Sequence, residues 1–158
     1  MNVANLIRGE KTALNLGAWG AGHLPRSAFP LSKVKEKQYR YGPAYKWRLI
    51  QFQCHRYKCR LLIILNRQKE LFRLRFGVEN DGNMVVLLDR EFHGTKPGWH
   101  CHFTLDKVDS VVSGAVRGPG KRRWPRGCDP EAKFTVTEAN ALTVAAQMFQ
   151  FGASGGFI

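Results

Sequence analysis

Acidic residues are scarce at the start of this chain. Glu10 and Glu36 are the only ones before Glu70, while fourteen Lys and Arg residues lie in the same stretch. Over all 158 residues, 25 Lys and Arg stand against 12 Asp and Glu, a formal net charge of +13. A field of that sign leaves the fold open but constrains partners: it attracts phosphate backbones and steers acidic proteins onto the surface. Long apolar runs are also missing. The longest, Leu61 to Leu65, is far too short to span a bilayer and reads as a strand. With no amphipathic basic helix and no lipidation motif, a membrane is not an expected partner. The first twenty residues carry the charged interruption Arg8-Gly-Glu-Lys11 where a secretory signal needs an apolar centre, so the expected location is the cytoplasm. Cysteine is sparse as well: Cys54, Cys59, Cys101 and Cys128, expected in that compartment as reduced thiols. Cys54-His55 and Cys59 have loose spacing with no second paired-cysteine motif, which favours buried thiols over a zinc site.

What is present is enough for one folded domain. Hydrophobic residues make up 44% of the chain, so a core can form. Residues 1–45 are rich in Gly, Pro and Lys and read as a basic, irregular N-terminal arm, with a short helix near Val3 to Leu16. Residues 46–152 read as a single α+β domain, and 153–158 as a loose tail. Within the domain, Lys46 to Gln53, Arg60 to Leu65, Leu71 to Phe76, Asn83 to Glu91 and Trp99 to Leu105 have strand character. Glu79-Asn-Asp-Gly82 is a hairpin signal, because Asn and Gly tolerate positive φ. Short turns between successive strands imply an antiparallel meander of about five strands. Thr135-Val-Thr-Glu138 has the spacing of a capping box, and Leu142, Ala145, Ala146 and Phe149 then share one helical face. That C-terminal helix should pack on one face of the sheet.

Two clusters carry the chemistry. In the first, strand alternation puts Asp89, Glu91 and His93 on one face, and His100 and His102 on one face of the next strand. If the strands pair, two carboxylates and three imidazoles converge. Asp89, Glu91, His100 and His102 would suit a divalent metal ion that activates a phosphate or a water. Without a metal, one imidazole could take the 2′-hydroxyl proton of RNA while another group protonates the leaving oxygen. Nearby cations, Arg73 and Arg75 among them, would bind the phosphate. The second cluster, Arg117-Gly-Pro-Gly-Lys-Arg-Arg-Trp-Pro-Arg126, gathers Arg117, Lys121, Arg122, Arg123 and Arg126 around Trp124. Cations can neutralise phosphates there while the indole stacks on an unpaired base.

The order of a strand, Asp-x-Glu, a Gly-containing loop, Gly-x-His-x-His and a capped helix resembles the TumE-type toxins of bacterial toxin–antitoxin systems. It stands here as Arg73-Leu-Arg-Phe-Gly77, Leu88-Asp-Arg-Glu91, Lys96-Pro-Gly-Trp-His-Cys-His102 and Phe134 through Phe149, within residues 70–150. The family's acids would fall on Asp89 and Glu91 and its histidine pair on His100 and His102; Arg90 stands where the family carries Asn. The resemblance implies a small toxin acting on nucleic acid and restrained by an antitoxin. The combined expectation is a ribonuclease-type toxin, with RNA favoured over DNA and an acidic antitoxin as protein partner. Two alternatives stay open: a non-catalytic nucleic-acid-binding factor of a phage or mobile element, and a basic module that docks on an acidic protein.

Overall fold

In a computed structural model of the chain, residues 1–94, 99–119, 133–149 and 151 are described. Seven strands form one sheet: β1 (Thr12–Asn15), β2 (Gly20–Ala21), β3 (Lys46–Cys54), β4 (Tyr57–Asn66), β5 (Leu71–Asn80), β6 (Asn83–Phe92) and β7 (Trp99–Phe103). Three helices accompany them: α1 (Val3–Arg8), α2 (Val108–Val112) and α3 (Ala141–Phe149). The order is β1-β3-β4-β5-β6-β7, with β2 also paired to β3, and every pairing is antiparallel. The meander from β3 to β7 matches the sequence expectation. No described helix is long and apolar enough to cross a membrane.

Among the described non-glycine residues, left-handed backbone is confined to turns. His55 (φ 52°) joins β3 to β4, Glu70 (φ 48°) joins β4 to β5, and Asp81 (φ 50°) with Gly82 (φ 78°) joins β5 to β6. Two successive positive φ angles match the right-handed twist of the flanking strands, so the Asp-Gly pair closes the hairpin without splaying it. Gly77 sits at a bulge between β5 and β6. A Cβ there would lie 2.7 Å from the Val85 carbonyl oxygen and 3.0 Å from the Phe29 ring, so only glycine fits.

The two faces of the sheet are covered differently. On one, Phe52, Leu61, Ile63, Phe72, Leu74 and Phe76 pack against all three helices through Val3, Leu6, Ile7, Val108, Val111, Ala145 and Phe149. On the other, a smaller cluster of Leu24, Phe29, Tyr39, Leu62, Ile64 and Met84 seats residues 20–45 over the sheet. Residues 1–45 contribute α1, β1 and β2 to the fold. Val3, Leu6 and Ile7 have the spacing of one helical face, and Thr12–Asn15 adds an edge strand to β3. The helix ends at Arg8, short of the expected Leu16, because Gly9 and the buried Lys11 take over. The Lys11 ammonium donates to the carbonyls of Ile7 (2.5 Å) and Gly9 (2.8 Å), and to that of Phe149 (2.6 Å). One cation thereby ties the C-terminal ends of α1 and α3, where the helix dipoles are negative.

One further expectation is corrected. The reciprocal cap before α3 falls on Thr137 and Asn140, not on Thr135 and Glu138. The Asn140 amide donates to Thr137 Oγ1 (3.3 Å), and the Thr137 amide to Asn140 Oδ1 (2.8 Å). An Asn side chain at the third position can return the bond as Glu does, while Glu138 faces Arg67 at 3.7 Å. Cys54 and Cys59 are free and buried. Cys128, the expected stop at Gly152 and the tail 153–158 lie outside the described residues.

Candidate functional site

Burial on the helix-covered face decides where the polar residues go. Phe72, Leu74 and Phe76 of β5, Leu88 and Phe92 of β6, and Trp99, Cys101 and Phe103 of β7 all point into that core. Their neighbours must point to the opposite face, and a one-residue slip would bury them instead. The register then lines up two cross-strand rows: Arg73, Glu91 and His100 in one, Arg75, Asp89 and His102 in the next. Arg90 belongs to the other side. It lies under α3, with its guanidinium carbon 4.8 Å from the Trp99 ring centroid and a nitrogen 3.5 Å from Met148 sulfur, and burial lowers its pKa.

Glu91 is the hub. Arg73 Nε donates to its Oε1 at 2.6 Å, while Oε2 lies 3.0 Å from His93 Nε2 and 3.2 Å from His100 Nε2. Only 7% of Glu91 is exposed. Burial alone raises its pKa, but Arg73 and the hydrogen-bonded His93 outweigh burial and hold the carboxyl below its ordinary range. The His93 and His100 rings stack with centroids 5.1 Å apart, and His102 meets His100 edge-on at 5.0 Å. Asp89 takes two bonds from Arg75, at 2.9 Å from Nε and 3.4 Å from a terminal nitrogen. Burial opposes the charge on Arg75, yet Asp89 more than compensates and raises its pKa.

Of the four expected metal ligands, three converge: donor atoms of Glu91, His100 and His102 lie within 4.8 Å of one another. Asp89 is not in that group. The bidentate contact with Arg75 in the neighbouring row occupies its carboxylate. The expected base His93 joins through Glu91. Each carboxylate also has its own guanidinium, so the rows carry no net negative charge to draw a hard dication.

Two concavities flank Arg75. A pocket of about 190 Å³ is lined by Tyr39, Tyr41, Gln38, Phe29, Arg73 and Arg75. A groove of about 710 Å³ runs from Asp89 and Arg75 past Met84 to Val86, with Lys33 and Arg117 on its walls. The sequence reading placed Arg73, Arg75 and Arg117 in nucleic-acid binding, and all three line these concavities. The other members of the basic loop, Lys121, Arg122, Arg123, Trp124 and Arg126, lie outside the described residues. Sequence reasoning missed the tyrosines. Burial raises the pKa of Tyr41 against the opposing pull of Arg73 and Arg75, so it stands close to both cations. The available signal was three tyrosines, 39, 41 and 45, inside a basic stretch.

Comparison with protein families, with curated proteins and with solved structures gives no match for this chain.

Proposed function

We propose that this protein is a metal-independent ribonuclease of the toxin type, acting in the cytoplasm on RNA and restrained by an acidic antitoxin. The observation that carries the reading is the sharing of Glu91 Oε2 by two stacked imidazoles beside two arginines. A buried anionic carboxylate fixes both rings, as the acid of a hydrolase triad fixes its histidine. One imidazole of the His93–His100 pair removes the 2′-hydroxyl proton as O2′ attacks phosphorus. The other gives a proton to the departing 5′ oxygen, leaving a 2′,3′-cyclic phosphate and a 5′-hydroxyl. Arg73 and Arg75 offset charge on the phosphorane, and His102 borders the pair. Glu91 and Asp89 are positioning residues in this scheme. The basic groove with Lys33 and Arg117 would carry the flanking strand, and the likeness to TumE-type toxins supports the toxin assignment.

The test is cleavage of a single-stranded RNA in excess EDTA. Wild type should cut it and leave cyclic-phosphate ends. His100→Ala and His93→Ala should each lose about 10²- to 10⁴-fold in rate, the usual worth of a general acid or base. Equal rates in all three proteins would remove the site. RNA binding that falls steeply with salt, without turnover, would instead favour a non-catalytic binding protein.

A further inference from the structure

We infer that Glu91, His100 and His102 form a binding site for a zinc-class divalent transition ion, and that filling it switches the proposed ribonuclease off. The donor set is two imidazoles and one carboxylate, the set that holds zinc while leaving further positions open to water. The three ligand atoms lie within 4.8 Å of one another, and the Glu91–His100 separation is already 3.2 Å. Ligand atoms about 2.1 Å from a tetrahedral ion stand roughly 3.4 Å from each other, so that pair needs almost no movement. The ion would sit between Glu91 Oε2 and His100 Nε2, and His102 would close in from the neighbouring row.

The surroundings suit such an ion. Arg73 holds Glu91 Oε1 at 2.6 Å and leaves Oε2 turned to the imidazoles, so the carboxylate is preset as a one-oxygen ligand. A neighbour that orients a ligand in this way commonly matters for affinity. Glu91 is buried while both histidines are partly open, which gives an ion a path in. Magnesium and calcium are disfavoured, because they demand mostly oxygen ligands. His93 is the competitor: its Nε2 sits 3.0 Å from the same Oε2 and must yield it. The inhibition rests on the proposed ribonuclease reading, since the ion takes the Glu91 oxygen and the His100 nitrogen on which proton transfer depends. The binding does not rest on it.

Two measurements separate the claims. Cobalt(II) is titrated into the full chain while its visible absorption is followed, and zinc is then added to displace it. Wild type should bind one ion. His102→Ala and Glu91→Gln should bind at least ~10-fold more weakly, with far-ultraviolet circular dichroism confirming that each is folded. His93→Ala should bind as tightly as wild type or tighter. Equal binding by wild type and a folded His102→Ala protein overturns the site. In the second measurement, RNA cleavage by wild type should fall as zinc fills the site and return with EDTA. Cleavage that rises with zinc overturns the off-switch. A protein that binds the ion but never cuts RNA overturns the off-switch together with the ribonuclease reading, and leaves the metal site standing.

Discussion

Lys11 is the one buried lysine or arginine among the described residues, and its surroundings set a pH dependence that can be checked. Burial lowers its pKa from 10.5 to about 8, against a smaller pull from Cys54 and Cys59 that raises it. A lysine with a depressed folded pKa contributes stability in full above its unfolded value and loses it as pH falls through the folded one. Between pH 8 and 10.5 the unfolded chain binds more protons here, so this group makes stability rise with pH. Cys59, pushed up to about 12 by burial, acts oppositely above its unfolded value near 9. Comparison with Lys11→Met cancels the cysteines to first order. The stability of wild type relative to the variant, from urea titrations, should therefore increase between pH 8 and 10.5. At pH 7 the variant should be less stable by about 1–3 kcal/mol, because the Ile7, Gly9 and Phe149 carbonyls lose a charged donor. A flat difference across that pH range would show that Lys11 does not titrate as its burial demands. The candidate site is also a matter of single residues, and much of it was legible. Alternation alone put Asp89 with Glu91 and His100 with His102. The division of labour was not legible: that Arg75 withdraws Asp89 from the metal set depends on cross-strand register, which alternation does not specify.

Elements divide by how local their signals are. The strands β3 to β7 could be read because each carries its own local signal, alternation in β5 and β7 and an unbroken apolar run in β4. The strands β1 and β2 could not, since four and two residues hold no period and both pair with a segment distant in the chain, Thr12 with Gln53 and Gly20 with Trp47. The five-residue α2 is short for the same reason, and it gains its place by packing Val108 and Val111 on the core. The α3 cap shows how a correct motif can sit two residues off: Thr135 and Thr137 both precede an acid or amide at the third position. Mutation separates them. Thr137→Ala should lower stability by about 1 kcal/mol, while Thr135→Ala should fall within about 0.5 kcal/mol of wild type. Thermal or urea unfolding reads both, and the reverse ranking would restore the original capping box. The bulge in β5 makes a firmer demand. Gly77→Ala should cost about 1–3 kcal/mol, because the added carbon meets the Val85 backbone and the Phe29 ring, and the backbone has little room to give.

At the scale of the whole molecule the charge of +13 becomes a geometric claim. Residues 20–45 bring part of the basic N-terminal stretch onto the same face as the Arg73–Glu91–His100 row, so Lys33 reaches the groove shared by Arg75 and Arg117. Charge spread evenly over a surface would bind phosphates at many weak positions, and no single cation would matter. Charge gathered on a groove predicts something sharper. For single-stranded RNA the logarithm of affinity falls with the logarithm of salt concentration with a slope of about −0.7 per phosphate neutralised. Lys33→Ala and Arg117→Ala should each make that slope shallower by about 0.7, and their effects should add because they remove separate phosphate contacts. Lys58→Ala, at an exposed position of β4 that does not line the groove, should leave the slope unchanged. Fluorescence anisotropy of a labelled RNA across a salt series measures wild type, the three single variants and the Lys33→Ala, Arg117→Ala double variant. Slopes that fall equally for Lys58 and for the groove cations would mean that the basic surface acts as a diffuse field, and the strand would then have no preferred path past the histidines.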